Sequence, residues 1–310
     1  MIAVLNAVLP VFLVMMTGWA VRKYVLPQQE FWQALDGLIF NLLLPALLLK
    51  LFSGMNMGQM QASLPMLGVI AASIFAVAAL TMPARWMGMD GPHYSSYFQG
   101  ATRTNFFISL SVGAALYGQA GLDLLALSML ALVPVNMGMS TYILARHGAS
   151  AEAQTPAKTL KKLVVNPIIM AALIGLLINA FTGGSPPAFL TTTFEIFGRA
   201  SLPLALLSIG AGLSVRCLKK PSTLAAGATF LKLIIHPLIV MGMAWYMGIG
   251  GLTLAVLMLV SAVPTAASSY TMARKMGGNA NAMATTLTLQ TLLALITLPL
   301  WIMLIQHMPK

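Results

Sequence analysis

The chain has 310 residues, of which 59% are hydrophobic and only 7% carry a charge. Water-soluble globular domains contain about a quarter charged residues, so this composition excludes that class. The apolar residues fall in long blocks, and a helix that spans a bilayer needs about 20 of them. We therefore predict an all-α integral membrane protein.

Apolar runs between charged or Gly/Pro-rich breaks predict ten membrane-spanning helices. In chain order these are Ala3–Val21, Trp32–Phe52, Ala62–Met82, Tyr97–Tyr117, Leu122–Ala145, Leu163–Phe181, Thr191–Val215, Leu224–Tyr246, Leu252–Met272 and Ala282–Ile305. One long break lies at Pro83–Ser96, and a polar stretch at Arg146–Lys162 is typical of a linker. The predicted units are therefore residues 1–145 and 163–310, joined by a cytoplasmic linker over residues 146–162.

The positions of Lys and Arg predict the topology. Twelve of these residues follow odd-numbered spans, whereas only Lys50 and Lys310 lie at the opposite side. Cytoplasmic loops collect Lys and Arg, so both termini are predicted on the non-cytoplasmic side of the cytoplasmic (inner) membrane. The net charge of +11 then reflects topology, and we predict no nucleic-acid partner. The single Cys217 excludes an intrachain disulfide and a multi-cysteine metal site.

The two halves of the sequence share an internal repeat. Pro, seven residues and Gly occur in both the first and the sixth span, and other Pro and Gly positions match in the same order. The matching pairs are Pro10 with Pro167, Pro45 with Pro203 and Gly118 with Gly277, separated by 157, 158 and 159 residues. Each unit would contain five helices, so the second copy must lie inverted in the membrane. Inverted repeats are typical of secondary transporters, which bind substrate near the midplane where the repeats meet.

Interrupted helices at matching repeat positions are the best sequence indication of such a binding site. In the ninth span Pro264 is followed by four hydroxyl side chains, and proline breaks or kinks a helix. A shift of 159 residues places Pro264 on Asn105, in a polar segment of the fourth span. Unwound helices there would offer free carbonyls to a cation and helix N-termini to a carboxylate. The alternative is an ordinary proline kink with Ser/Thr bonded to their own helix.

These segments resemble the auxin efflux carrier family, whose bacterial members include malonate- and malate-type permeases. The resemblance rests on Arg-x-Asn in the fourth span, Asn166-Pro167, Leu202-Pro203 with Gly210-Ala211-Gly212-Leu213, and Pro264-x3-Ser268-Ser269-Tyr270 with Ala273-Arg274. It covers nearly the whole chain. It departs from the family where Ser109-Leu110-Ser111 stands in place of a fourth-helix proline, so a break there needs another cause. The long central loop of many plant members is absent.

The resemblance implies a specific architecture and mode of movement. The fold would be two inverted five-helix repeats with crossed, broken fourth and ninth helices, like bile-acid and sodium/proton transporters. Spans 1, 2, 6 and 7 would form a scaffold, and spans 3–5 and 8–10 a mobile core that moves as an elevator. A homodimer through the scaffold helices is implied by the resemblance alone. We predict no cofactor, with H⁺ or Na⁺ as the possible coupling ion.

Polar residues at membrane depth are costly and are functional candidates by default. Lys232 could supply a counter-charge to a carboxylate or pair structurally with His236 four residues on. Arg103 could attract anions or anchor the cytoplasmic helix end, and Gln290 could bind a ligand or join helices. A proton-coupling carboxylate would come from Asp36, Asp123 or Glu195. The predicted substrate-binding residues are Arg103, Asn105, Lys232, Pro264, Thr265, Ser268, Ser269 and Gln290.

The sequence therefore predicts a secondary transporter for a small organic anion, such as malonate, malate or an auxin-like acid. The partners are that acid and the lipid bilayer. The alternative is a sodium-coupled symporter of the bile-acid type, which would need more acidic or amide ligands than Asn105 and Gln290. A membrane enzyme would need clustered carboxylates or a His/Asp pair, and the six acidic residues are scattered singly. A channel or receptor has no need of an inverted repeat.

Overall fold

The computed structural model describes residues 2–149, 165–214 and 223–307, and every secondary-structure element within these ranges is helical. The helices are α1 (Ile2–Tyr24), α2 (Gln29–Leu38), α3 (Leu44–Ser53), α4 (Met57–Ala62), α5 (Leu64–Trp86), α6 (Gly91–Thr102), α7 (Phe106–His147), α8 (Pro167–Thr182), α9 (Ala188–Ala211), α10 (Thr223–Phe230), α11 (His236–Tyr246), α12 (Gly251–Ala262), α13 (Ser268–Lys275) and α14 (Ala280–Gln306). Two π-helical turns, Ile39–Leu43 and Leu231–Ile235, join α2 to α3 and α10 to α11. Most of the predicted linker and Cys217 lie outside the described residues.

Seven helical runs in the described part of the chain are long and apolar enough to cross a bilayer. They are Ile2–Tyr24, Gln29–Ser53, Met60–Trp86, Gly91–His147, Ala188–Ala211, Thr223–Tyr246 and Ala280–Gln306, and two shorter apolar helices are Pro167–Thr182 and Gly251–Ala262. The prediction of a multi-span, all-α membrane protein is confirmed. The count of ten spans and the inverted relation of the halves stay predictions.

The longest run folds back on itself at Gly118. Its 57 residues would extend about 86 Å as a straight helix, against a hydrocarbon core of about 30 Å. Gly118 has φ 57° and ψ −142°, a conformation that glycine adopts without a steric cost. The Leu125 side chain fills the space where Gly113 would carry a Cβ, although a continuous helix would separate them by about 18 Å. The predicted fourth and fifth spans are therefore two arms of a hairpin.

The fourth span begins earlier than the sequence analysis predicted. The predicted break at Pro83–Ser96 is shorter in the structure, because α5 continues through Pro83 to Trp86. The Asp90 carboxylate accepts the backbone N–H of His93 at 2.9 Å, and Pro92 occupies the first turn of α6, where its missing N–H is not needed. As a result, Arg103 lies between α6 and α7, inside the fourth span and not at its start.

Each π-helical turn is followed, one residue later, by a proline. Pro45 follows the turn at Ile39–Leu43, and Pro237 follows the turn at Leu231–Ile235. Proline donates no backbone hydrogen bond, which leaves the carbonyl four residues earlier without its helical partner. In the second case the freed carbonyl of Leu233 accepts the indole N–H of Trp301 at 2.8 Å. This π-helical turn contains Lys232.

The helices form two packed groups. In the first group α1 packs against α9, and α3 packs against α8 and α9. A Cβ on Gly18 would overlap the Leu207 carbonyl, and a Cβ on Gly210 would overlap the Met15 carbonyl, so α1 and α9 touch backbone to backbone. The second group contains α5, α6, α7 and α10 to α14.

Candidate functional site

The fourth span is broken between α6 and α7. Arg103 (φ −74°, ψ 153°) and Asn105 (φ −80°, ψ 95°) have extended backbones between two helices. Asn105 caps α7, because its Oδ1 accepts the backbone N–H of Ile108 at 3.5 Å. The predicted break therefore forms without a proline, since a polar cap starts a new helix at this point.

The ninth span is broken between α12 and α13. α12 ends at Ala262, and Val263 is extended (φ −77°, ψ 155°), as expected for a residue that precedes proline. The chain resumes its helix only at Ser268. The sequence analysis left open whether Pro264 kinks or interrupts the span, and the structure has an interruption.

The two breaks cross in direct contact. The Asn105 N–H donates to the Pro264 carbonyl at 2.8 Å between N and O. The Thr265 hydroxyl donates to the carbonyl of Gln99 at 3.0 Å, which is one of the last carbonyls of α6. Because Asn105 and Pro264 are buried, the bond between them satisfies a backbone N–H and a carbonyl that lie outside the helices.

Gln290 of α14 holds both breaks together. Its Oε1 accepts the backbone N–H of Thr265 at 2.8 Å, and its Nε2 donates to the Gly100 carbonyl at 2.9 Å. One fully buried amide therefore bonds α6 and the break of the ninth span at the same time. This geometry corresponds to the helix-joining alternative that the sequence analysis weighed for Gln290.

A cavity of about 1670 Å³ lies between the two packed groups of helices and reaches the crossing. α1, α2 and α9 contribute to one wall, and the fourth-span break, α13 and α14 contribute to the other. Among the described residues that line it, the charged ones are Arg22, Lys23, Asp36, Arg103 and Lys275. Four cations and one carboxylate give this cavity an excess of positive charge, which favours anions.

Arg103 and Asn105 both line this cavity, and Asn105 has a buried amide donor without a partner among the described residues. The Arg103 guanidinium donates to the Ser268 hydroxyl at 2.8 Å and to the Gln99 side-chain oxygen at 3.4 Å, and it contacts the Met272 sulfur. No described carboxylate lies within 4.0 Å of it. Asn105 is 2% exposed, and its Nδ2 has no hydrogen-bond partner among the described residues. Because Oδ1 caps α7, the orientation of this amide is fixed with Nδ2 as a free donor. A buried free donor costs energy that an acceptor on a ligand would recover.

Two helix N-termini also meet at the crossing. α7 begins after Asn105, and α13 begins at Ser268 without a side-chain cap. The N-terminal end of a helix carries a partial positive charge, although in α13 the N–H groups of Ser269 and Tyr270 already bond the carbonyls of Ala266 and Ala267. Together with Arg103, this arrangement can bind a carboxylate.

The structure places the predicted site residues in two layers. Arg103, Asn105 and Ser268 line the cavity. Pro264, Thr265, Ser269 and Gln290 are buried behind it, within the hydrogen bonds that join the breaks, and the Ser269 hydroxyl lies 3.3 Å from that of Thr265. Lys232 does not line the cavity and instead bonds the Thr104 hydroxyl at 3.0 Å. The substrate-binding roles themselves stay predictions.

Several polar residues near the site were missed by the sequence analysis. Thr104 links the break to Lys232, and Gln99 supplies the carbonyl that Thr265 bonds. Asn136 lines the cavity and is 8% exposed, and its Oδ1 has no partner within the described chain. A single polar side chain in an apolar run was the available signal for Asn136.

The three carboxylates considered for proton coupling lie in different places. Asp36 lines the cavity and accepts the Ser208 hydroxyl. Glu195 pairs with Arg199 at 2.6 Å and with Lys50 at 3.3 Å. Asp123 accepts the side-chain amide of Gln119 at 2.7 Å near the Gly118 reversal. Only Asp36 among them reaches the cavity.

Comparison with known proteins agrees with a transport role. The family model described as "Membrane transport protein" matches residues 3–302. A protein of Methanothermobacter thermautotrophicus named as a transporter is 23% identical over 299 residues, which cover 96% of each chain. A protein of Rhizobium meliloti named "Putative malonate transporter" is 24% identical over 324 residues, covering 96% of this chain and 94% of its own. The chain therefore belongs to the membrane transport protein family, the auxin efflux carrier family that its motifs resemble, and it is a transport protein and not an enzyme.

Proposed function

We propose that this protein is a secondary active transporter that carries a small organic anion across the cytoplasmic membrane. The observation that carries the proposal is the crossing of two broken helices beside a cavity. Arg103 and the free Nδ2 of Asn105 offer donors there, and no described carboxylate competes for Arg103. A carboxylate group bound at this place would satisfy both donors.

The movement that we propose is of the elevator type. The helix group with α1, α3, α8 and α9 would stay fixed, and the group that carries both breaks would move past it. This proposal is supported by the position of the cavity, which lies between the two groups and is lined by both. Two inverted five-helix repeats, with ten spans in total, would give such a carrier its inward- and outward-facing states.

The cavity in this structure corresponds to the cytoplasm-facing state of the proposed carrier. Arg22 and Lys23, at the end of α1, and Lys275, at the end of α13, all line it. Basic residues at helix ends favour the cytoplasmic side, which also puts both termini on the opposite side. Cations at the mouth would raise the local concentration of an anionic substrate.

The cargo that we propose is a mono- or dicarboxylate of the size of malonate or malate. Support comes from the donors at the crossing and from the relative in Rhizobium meliloti, whose name refers to malonate. The relative's name alone does not assign the cargo of this chain, since the two sequences are 24% identical.

Counterflow in proteoliposomes tests the proposal. Vesicles loaded with unlabelled malonate, malate or an auxin-like acid should take up the labelled acid faster than empty vesicles. The Asn105→Ala variant should lose this acceleration, because it removes the free amide donor. Arg199→Gln is the matched control, since Arg199 is an exposed member of an ion pair in α9 and should leave uptake unchanged. Flux that is indifferent to the acid inside would contradict a carrier, and a strict requirement for sodium would favour the bile-acid-type alternative.

A further inference from the structure

Lys232 is a fully buried cation directly behind the crossing. Its side chain is 0% exposed, its Nζ donates to the Thr104 hydroxyl at 3.0 Å, and its Nζ lies 3.1 Å from His236 Nδ1. Thr104 stands between Arg103 and Asn105 in the break. Lys232 therefore acts on the proposed binding place without lining the cavity.

The hydrogen bonds around Lys232 form a chain through His236 to Ser73. The Ser73 hydroxyl donates its single hydrogen to the Ile70 carbonyl at 2.9 Å. With that hydrogen bound to Ile70, the Ser73 oxygen accepts from His236 Nε2, 3.2 Å away, in the tautomer that carries the proton on Nε2. His236 is then neutral with a bare Nδ1, and this nitrogen accepts from Lys232. Lys232 is then the donor at both contacts, and its ammonium form has the hydrogens for both.

No described carboxylate neutralises this charge. Lys232, like Arg103, has no Asp or Glu oxygen within 4.0 Å among the described residues. In α5 to α7 and α10 to α14, the other acidic and basic side chains that the structure describes lie near helix ends or near the reversal at Gly118. The helix group that carries both breaks therefore holds two uncompensated positive charges, on either side of Thr104.

We infer that Arg103 and Lys232 together set the valence of the cargo, so that the carrier selects a dianion over a monoanion of the same size. This inference rests on the proposed function. Uncompensated charge is costly in a low-dielectric, membrane-embedded site. A dianion bound at the crossing balances both cations, whereas a monoanion leaves one cation uncompensated during movement. Lys232 is then a positioning residue that selects by charge without touching the cargo.

A pair of probes with nearly the same shape isolates valence. Malonate carries two carboxylates, and malonamate, its monoamide, replaces one of them with a neutral amide. In counterflow at a pH where malonate is a dianion, the wild-type protein should exchange malonate at least about tenfold faster than malonamate. Exchange of malonamate at the same rate as malonate would overturn the inference while leaving the transport of organic anions intact. Failure to exchange either probe, or any other organic acid tested, would instead contradict the proposed function.

Variants of Lys232 test the assignment to this residue. Lys232→Gln removes the charge, and the ratio of malonate to malonamate exchange should fall towards or below one, while Lys232→Arg should restore the preference for malonate. Arg199→Gln, which removes a cation far from the crossing, should keep the wild-type ratio. A Lys232→Gln protein that elutes as a monodisperse species and keeps the wild-type ratio would overturn the role of Lys232. If Lys232→Gln fails to fold, the comparison of malonate with malonamate on the wild-type protein still tests whether the carrier prefers a dianion.

Discussion

The backbone N–H of Asn105 donates to the carbonyl of Pro264 at 2.8 Å, and these two residues are 159 positions apart in the sequence. The same separation relates Gly118 to Gly277 in the predicted internal repeat. Both of these glycines have positive φ angles, 57° and 74°. The point where each half interrupts its helix is thus the point where the two halves bond, which brings Arg103 and the free Asn105 amide to one cavity wall.

Asn105→Asp separates the capping role of this residue from its role as a donor. Aspartate still accepts the Ile108 N–H, so α7 should keep its cap. The free Nδ2 donor is replaced by a carboxylate oxygen that repels an anion. Because a hydrogen bond to a charged group contributes ~1.5–3 kcal/mol, counterflow should fall roughly ten- to hundredfold. Wild-type exchange by a well-folded Asn105→Asp protein would show that this amide does not contact the cargo.

Gln290→Leu should destabilise the crossing. The substitution leaves the buried N–H of Thr265 and the carbonyl of Gly100 without partners, at about 1–3 kcal/mol for each group. Thermal unfolding in detergent should therefore occur several degrees lower than in the wild-type protein. Thr291→Val is the control one residue further along α14, because Thr291 bonds only the Leu287 carbonyl of its own helix. Equal melting temperatures for the two variants would mean that the Gln290 bonds do not hold the breaks together.

Gly210→Ala tests the close contact between α1 and α9. Its Cβ would overlap the Met15 carbonyl, and relief of that overlap requires the helices to move apart at a cost of about 1–3 kcal/mol. Gly242→Ala in α11 is the matched control, because no atom lies within 4 Å of its added Cβ and alanine favours a helix. Unfolding measurements should rank Gly242→Ala at or above the wild-type protein and Gly210→Ala clearly below it. The reverse order is incompatible with this packing.

Asp90 should stabilise α6 in a pH-dependent way. The His93 backbone N–H, and next the His93 side chain, hold the pKa of the Asp90 carboxyl below its ordinary value. A carboxyl with a lowered folded-state pKa stabilises the protein above its unfolded pKa of about 3.9, and this contribution is lost as the pH falls through the lowered value. Asp90→Ala should therefore cost about 1 kcal/mol at neutral pH. Melting curves of both proteins should converge below about pH 4, and a constant gap across that range would exclude the carboxylate as the cause.

The sequence was sufficient to predict where the spans are interrupted. Proline and clustered hydroxyl residues indicate a break in the ninth span, and the repeat offset of 159 residues places the matching break at Asn105. It also singled out Arg103 as an intramembrane cation. The doubt about a break without proline arose because a polar N-cap inside an apolar run gives a weaker local signal than proline does. The start of α6 at Gly91 was missed although Asp90 and Pro92 form a recognisable helix start.

The sequence could not predict which of the site residues line the cavity and which are buried behind it. Lys232 and Gln290 are polar residues at membrane depth like Arg103, yet they bond behind the cavity while Arg103 lines it. Helical spacing places Lys232 and His236 on one face, but only the fold shows that Ser73, from another helix, lies 3.2 Å from His236 Nε2. Which side of a crossing a residue faces depends on contacts between distant segments, and these have no local pattern.

The most direct measurement of the central claim, that an anion binds where the two breaks cross, is protection of a single introduced cysteine. In a Cys217→Ser background, Ser268→Cys places a thiol on an exposed, cavity-lining position at the start of α13. A membrane-impermeant thiol reagent should modify it faster in inside-out than in right-side-out vesicles, and saturating malonate should slow this reaction several-fold. Modification that malonate does not change while the protein exchanges malonate, or that is faster from the opposite side, would contradict the account.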